Sequence, residues 1–290
     1  MVLSKEISPL TKKVIFGLFA VALLGVLFIF AGRTDGKLHL VICDVGQGDA
    51  IYLKTPKGDD VLIDGGPDNK VLSCLGKNMK FFDKTLELMI LTHPQSDHLN
   101  GLIDVLRNYQ VKQVILTTQK NQTSHFLTWQ EELMSEKAAR HVAKRGEKIQ
   151  FGSGFSAEVI WPEDGISAFD LNDTAIVLRL KYGAFCALLT GDATNNVWLN
   201  LLASGGLEAC QVLKVAHHGS KNATNEIFLK AIKPKIAIVS DGKNNRYGHP
   251  HKEVLDLFEK DRVELFRTDL HGNIEVITEG SKIEVKTDKI

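Results

Sequence analysis

The sequence predicts an α/β domain of two stacked β-sheets with helices on their outer faces, preceded by one N-terminal membrane-spanning helix. Three observations carry this. Short apolar runs alternate with turns and helical segments from residue 38 to the C-terminus. The strand-like segments outnumber those of a simple βαβ alternation, and a surplus of strands is accommodated by a second sheet. Residues 14–32 form one uncharged apolar stretch unlike anything downstream.

Residues 1–13 read as a short cytoplasmic segment, 14–32 as the anchor, 33–37 as a linker and 38–290 as one globular domain. Val14–Gly32 is nineteen residues long, about the length that crosses a hydrocarbon core. Lys5, Lys12 and Lys13 precede it, which favours an N-terminus inside and a domain outside the cytoplasmic membrane. Ile29 and Ala31, or Phe30 and Gly32, make a poor signal-peptidase site, so the anchor reads as uncleaved.

Along the domain, "KLHLVICDV", "DAIYLKT" and "DDVLIDGG" read as strands, the first two joined by the tight "GQG" turn. "TLELMILTH" is a buried strand, and "HLNGLIDVLRNY" carries apolar residues at helical spacing. "VKQVILT" is the next strand, and residues 125–145 have helix-like spacing. "SAEVIWP", "AIVLRLKYG" and "AFCALLTGD" are strands, the last two a hairpin through Tyr182–Gly183. Residues 194–204 and 223–232 and the segment "HKEVLDLFEKDR" read as helices. "CQVLKVAHHGS", "PKIAIVSDG", "VELFRTD" and "NIEVITEGSKIEVKT" supply the remaining strands.

Apolar residues make up 44% of the chain, enough for a large core, and charged residues 24%, which excludes a disordered chain. The net charge of +0 excludes a broadly basic nucleic-acid surface, though not a local one. Of the four cysteines, Cys43, Cys74, Cys186 and Cys210, three lie in apolar runs and read as small buried hydrophobes. An exported domain permits a disulfide, but the spacing requires none.

The chemistry-bearing residues share one placement. Asp64, His93, Asp97, His98, Asp192, His217, His218, His249 and His251 all lie where an apolar strand gives way to a loop, and layered α/β folds assemble sites there. Imidazoles mixed with carboxylates suit zinc, manganese or iron rather than calcium. A bridging carboxylate such as Asp192 suits one or two such ions, which make hydroxide available near neutral pH and stabilise developing charge.

"THPQSDH", "LLTGD" and "VAHHGS", in this order, resemble the metallo-β-lactamase superfamily. With "DVGQGDA", "LIDGG" and "YGHPH", the resemblance narrows to the extracytoplasmic domain of ComEC-type DNA-uptake competence proteins and their stand-alone relatives, over about residues 38–277. It implies a four-layer αββα sandwich and a metal-dependent hydrolase using one or two divalent ions, zinc or manganese. By motif, His93, Gln95 and Asp192 would hold a first metal, and Asp97, His98, Asp192 and His217 a second. Asp64 would orient the cluster from behind, with His218 a hydrogen-bonded neighbour. Asp97 and His249 are the catalytic candidates. Gln47, Asp49, Lys221, Lys243, Arg246 and Tyr247 are the candidates for substrate contact, since cations and an aromatic beside a metal suit an anionic phosphodiester.

Gln95 stands where this motif carries a better ligand. Its neutral amide oxygen is a weak donor, so the expectation is one well-held metal and a weaker second. The expected protein is a membrane-anchored extracytoplasmic phosphodiesterase acting on DNA, with a separate membrane channel as a possible partner. A teichoic-acid or phosphocholine phosphodiesterase and a non-catalytic domain with a degraded centre are the alternatives.

Overall fold

The computed structural model describes residues 13, 15–19, 21, 34–166 and 170–289. Residues 13, 15–19 and 21 are helical, and Ile15, Phe16, Leu18, Phe19 and Val21 are exposed. The rest of the expected anchor lies outside the described residues, among which no helix is long and apolar enough to cross a membrane. Gly36–Ile290 forms one compact unit.

The first half of that unit runs β1 (Leu38–Ile42), β2 (Ile51–Lys54), β3 (Asp60–Ile63), α1 (Lys70–Asn78), β4 (Thr85–Leu86), β5 (Leu88–Ile90), α2 (Ser96–Asn108), β6 (Gln110–Val111), β7 (Gln113–Leu116), α3 (Ser124–Ser135) and β8 (Ala139–Val142). The second half runs β9 (Lys148–Gly152), β10 (Phe155–Trp161), β11 (Val177–Tyr182), β12 (Phe185–Leu189), α4 (Asn195–Ala203), β13 (Val212–Lys214), α5 (Glu226–Ile232), β14 (Ile236–Val239), α6 (Lys252–Lys260), β15 (Glu264–Arg267), α7 (Thr268–His271), β16 (Ile274–Thr278) and β17 (Ile283–Thr287).

Among the described residues the strands form two large sheets, in the orders β17-β16-β1-β2-β3-β5-β7-β8 and β15-β14-β13-β12-β11-β10-β9. Period-two alternation explains how they stack. Leu38, Leu40 and Ile42 of β1 face the same core as Leu178, Leu180 and Leu189 of the other sheet. Val41 and Cys43 face the opposite way, onto Val71 and Leu75 of α1 and Leu102 and Val105 of α2. The outer face of the second sheet packs on Val197 and Trp198 of α4, Phe228 of α5 and Phe258 of α6. The result is the four-layer αββα sandwich.

Several elements depart from the sequence reading. Ala139–Val142, inside the expected helix 125–145, is a strand on the edge of the first sheet, paired in parallel with β7. "TLELMILTH" divides, because Thr85–Leu86 pairs with Gln110–Val111 in a small sheet of its own. The sequence reading does not assign the helix Lys70–Asn78 or the strand Lys148–Gly152. The cysteines are buried as expected, but they are also paired, as Cys43–Cys74 and Cys186–Cys210, with Cα separations of 5.9 and 4.7 Å. The first bond ties the end of β1 to α1. The second spans the α4 crossover between β12 and β13.

Candidate metal centre

β3, β5, β12, β13 and β14 deliver their C-terminal ends to one side of the sandwich. Parallel pairing fixes this: Ile63 lies beside Ile90, Leu189 beside Lys214, and Lys214 beside Ile238. Asp64, His93, Asp192, His217, His218 and Ser240 follow directly, although they are scattered through the sequence. α2 begins at the same place and carries Asp97 and His98 in its first turns.

Two close approaches seat this helix. A Cβ on Gly101 would lie 2.0 Å from the carbonyl oxygen of Gly65, so α2 packs directly on the turn after β3. Gly48, at φ +142°, lies so close to the Asp97 carbonyl that a Cβ would stand 2.2 Å from it. Only glycine meets both demands at position 48. The "DGG" and "GQG" motifs are therefore packing requirements of the helix that carries Asp97.

Asp97, His98, Asp192 and His218 converge, with one potential ligand atom from each lying within 4.8 Å of the others. Asp192 Oδ2 is 3.3 Å from His98 Nε2, 3.5 Å from His218 Nε2, 3.7 Å from His217 Nε2 and 4.0 Å from His93 Nε2. Asp97 Oδ2 is 3.5 Å from His218 Nε2.

The sequence reading makes His217 the ligand and His218 its neighbour; His218 is the one whose ligand atom lies within 4.8 Å of those of Asp97, His98 and Asp192, while His217 Nε2 stands 3.7 Å from Asp192. Both residues have left-handed backbone, at φ 49° and 55°, an uncommon state for non-glycine residues. The turn swings His218 inward, where its Nδ1 meets the Ser240 carbonyl at 2.8 Å. His217 stays 27% exposed, facing the cleft.

The supporting contacts set which ring nitrogen points where. Asp64 accepts the backbone N–H and the hydroxyl of Thr92 and bonds His98 Nδ1 at 2.8 Å, leaving His98 Nε2 directed at Asp192. Thr92 Oγ1 meets His93 Nδ1 at 3.0 Å. Asp49, expected to touch substrate, is instead buried. It is ion-paired with Lys214, and its Oδ1 lies 3.5 Å from His218 Nδ1. Lys214 is equally buried, a cation beneath the centre that the sequence reading overlooks. Its position in the apolar run "CQVLKVA" was the available signal.

Does a cation fit? His93 Nε2, His98 Nε2, His218 Nε2 and both Asp192 oxygens are buried without a hydrogen-bond partner, although buried polar atoms are normally satisfied. Burial opposes charge on His218, but Asp192, Asp97 and Asp49 overcome it and carry its pKa up to about 10. Burial opposes charge on His98 too, and Asp192 and Asp64 hold it well above its ordinary value. Burial raises Asp192, yet the facing His218 and His98 bring it well below the usual carboxylate range. The carboxylates thus draw positive charge into the cluster, and a divalent cation on the same atoms supplies it. The donor set of imidazoles and carboxylates fits such an ion. Burial first, then the neighbouring His98 and His217, take His93 down to about 3 against the pull of Asp192 and Asp97, so it presents a neutral imidazole.

The cluster floors a cleft of about 260 Å³ lined by Gln47, Gln95, Asp97, His217, Tyr247 and His249, among others. Ser96, Asn121 and Thr123 line it too, and the sequence reading does not name them, because uncharged loop residues carry no chemical signature. Burial first, then His218 and His217, lower His249 to about 4, leaving it neutral. Asn245 grips the His249 backbone through hydrogen bonds of 2.6 and 3.0 Å. Arg246 lies over the Tyr247 ring, 4.9 Å from its centroid. Lys221 and Lys243 are outside the cleft lining: Lys221 is exposed with Glu253 3.6 Å away, and Lys243 is exposed on the Tyr247 loop.

Fold and donor set together define a metal-dependent hydrolase with divalent metal use. Residues 43–240 match the family model of the metallo-beta-lactamase superfamily, and the chain belongs to that superfamily. It is 30% identical to ComE operon protein 3 of Bacillus subtilis (strain 168) over 95% of its length and 37% of the relative's. It is 27% identical to competence protein ComA of Neisseria gonorrhoeae over 83% of its length and 32% of the relative's. The chain therefore spans about a third of these competence-type relatives. The metallo-beta-lactamase fold protein YhfI from Bacillus subtilis shares the architecture, with a TM-score of 0.54 at 12% identity, over 86% of this chain and 100% of that one.

Proposed function

We propose that the chain is a membrane-anchored, extracytoplasmic, metal-dependent phosphodiesterase that cleaves DNA. The observation that carries the reading is the convergence of unpartnered buried donors from Asp192, His98, His218 and His93 on the floor of an open, polar cleft. Asp97, His98, Asp192 and His218 would hold the better-bound ion, with His93 and Gln95 beside it.

A divalent ion there supplies a Lewis acid for the developing phosphoryl charge and acidifies water. The chain's own residues do the rest. Neutral His249 offers a proton-accepting nitrogen over the cleft, and its Nδ1 has no partner. Gln47, Asn121 and Thr123 bring hydrogen-bond donors to the walls. Tyr247, with Arg246 over its ring, gives the rim a face for a base and a cation for a phosphate. DNA as substrate follows from the competence-type resemblance, and the polar walls support it over a choline pocket, which requires an aromatic cage.

The two disulfides support an oxidising compartment, and the apolar stretch 14–32 preceded by lysines supports anchoring with the domain outside. The test is turnover by the purified full-length chain in detergent, with Mn²⁺ or Zn²⁺, of a single-stranded oligonucleotide against a phosphocholine ester. Cleavage of the oligonucleotide, abolished in Asp97→Ala, is expected. Turnover of the choline ester alone, or none with either metal, overturns the reading.

A further inference from the structure

Phe81 and Phe82 are the most exposed large apolar side chains among the described residues, at 85% and 83%. They occupy the two corners of a tight turn closed by the Asp83 N–H donating to the Lys80 carbonyl at 2.8 Å. Corner positions ordinarily take Pro, Gly, Asn or Asp. Two phenylalanines placed there contribute nothing to the turn and touch each other edge to face at 4.8 Å. Adjacent exposed aromatics of this kind mark a surface that meets something apolar.

The surroundings identify what. Lys80 and Lys84 flank the pair, and Lys84 lies 4.5 Å over the Tyr109 ring. Asp83 turns back to accept the Thr85 N–H. Apolar tips beside lysines are the composition that seats in the headgroup region of a bilayer, with cations at lipid phosphates.

Position agrees. The turn precedes β4 and β5, whose far end carries His93. Thr85 to Leu91 at about 3.3 Å per residue sets the turn roughly 20 Å from the metal end. Leu38, where the chain enters β1, is at this same end: His39 registers with Lys54, Lys54 with Asp60, and Val61 with Leu88. The chain thus enters the domain at the end that carries the turn.

We propose that Phe81 and Phe82 insert into the surface of an anionic lipid bilayer, with Lys80 and Lys84 at lipid phosphates, so that the metal cleft faces away from the membrane. This is independent of whether residues 14–32 span the bilayer and of the substrate. Gly36–Ile290 is one compact unit that holds the three apolar cores found among the described residues, so it serves for the test.

Phe81→Trp is mixed with vesicles of phosphatidylcholine and phosphatidylglycerol, with and without brominated acyl chains. The expected result is a blue-shifted emission quenched by the brominated lipid. Leu270→Trp, exposed in α7 beside the metal end, shows neither effect. Adding Phe82→Ser to Phe81→Trp weakens vesicle affinity about tenfold, the worth of one buried apolar side chain. An unshifted, unquenched Phe81→Trp at millimolar lipid overturns the proposal and leaves a protein partner as the occupant of the turn. Equal affinity for vesicles lacking phosphatidylglycerol removes the lysines from it.

Discussion

Lys214→Met isolates the buried charge beneath the metal centre. Lys214 Nζ bonds Asp49 Oδ2 and lies 3.4 Å from the Gly191 carbonyl, and each side chain of the pair is 1% exposed. Methionine fills a similar volume but leaves the Asp49 carboxylate buried without its cation. Breaking a buried pair this way costs about 3–5 kcal/mol. With a urea slope of about 3 kcal/mol per M for a domain of this size, the unfolding midpoint falls by about 1–1.7 M. Asp49→Asn with Lys214→Met removes both charges and recovers more than half of the loss, because the dominant penalty is the lone anion. A second effect reaches the metal. The unpaired carboxylate, 3.5 Å from His218 Nδ1, draws that ring from its place and weakens metal binding by about 10–100-fold in a chelator competition. A stability loss below about 1 kcal/mol, or a double variant no better than Lys214→Met, refutes the reasoning.

Gln95→His adds a strong ligand beside His93, and metal content by elemental analysis rises from about one ion toward two per chain; unchanged stoichiometry counts against the weak second position. Folding raises the His218 pKa from 6.5 to about 10, so its stabilisation is complete below pH 6.5 and is lost as pH climbs through 10. The urea midpoint of the chelator-treated chain therefore falls between pH 7 and 10, and a flat or rising midpoint contradicts this. The disulfides close loops with sequence separations of 31 and 24, each worth about 3–4 kcal/mol by loop closure. Dithiothreitol should lower the unfolding midpoint accordingly, and an indifferent midpoint shows the cysteines unpaired.

Strand periodicity placed Asp64, His93, Asp97, His98 and Asp192 at strand ends, and the motif resemblance grouped them into one site. Those signals are local and strong. The interior of the site was less legible. Which of two adjacent histidines turns inward depends on a left-handed backbone at both, which side-chain type does not reveal. Asp49 and Lys214 lie 165 residues apart and meet only because both sheets end on one side. The cysteines paired for the same reason: Cys43 and Cys74 become neighbours only once α1 lies on β1. β8 carries Arg140 and His141 on a sheet edge, with little of the alternation that marks an internal strand. The Asp49–Lys214 pair is the part of the site that only the tertiary structure supplies.

The most direct test of the account is single-turnover cleavage of single-stranded DNA measured against metal occupancy, for the purified full-length chain and for Asp192→Asn. Asp192 faces four imidazoles, so the account predicts a rate that rises in proportion to bound metal. It also predicts an Asp192→Asn chain that folds, binds metal at least tenfold more weakly and stays inactive at occupancies that activate the wild type. Cleavage by metal-free protein, or full activity in Asp192→Asn, would contradict it.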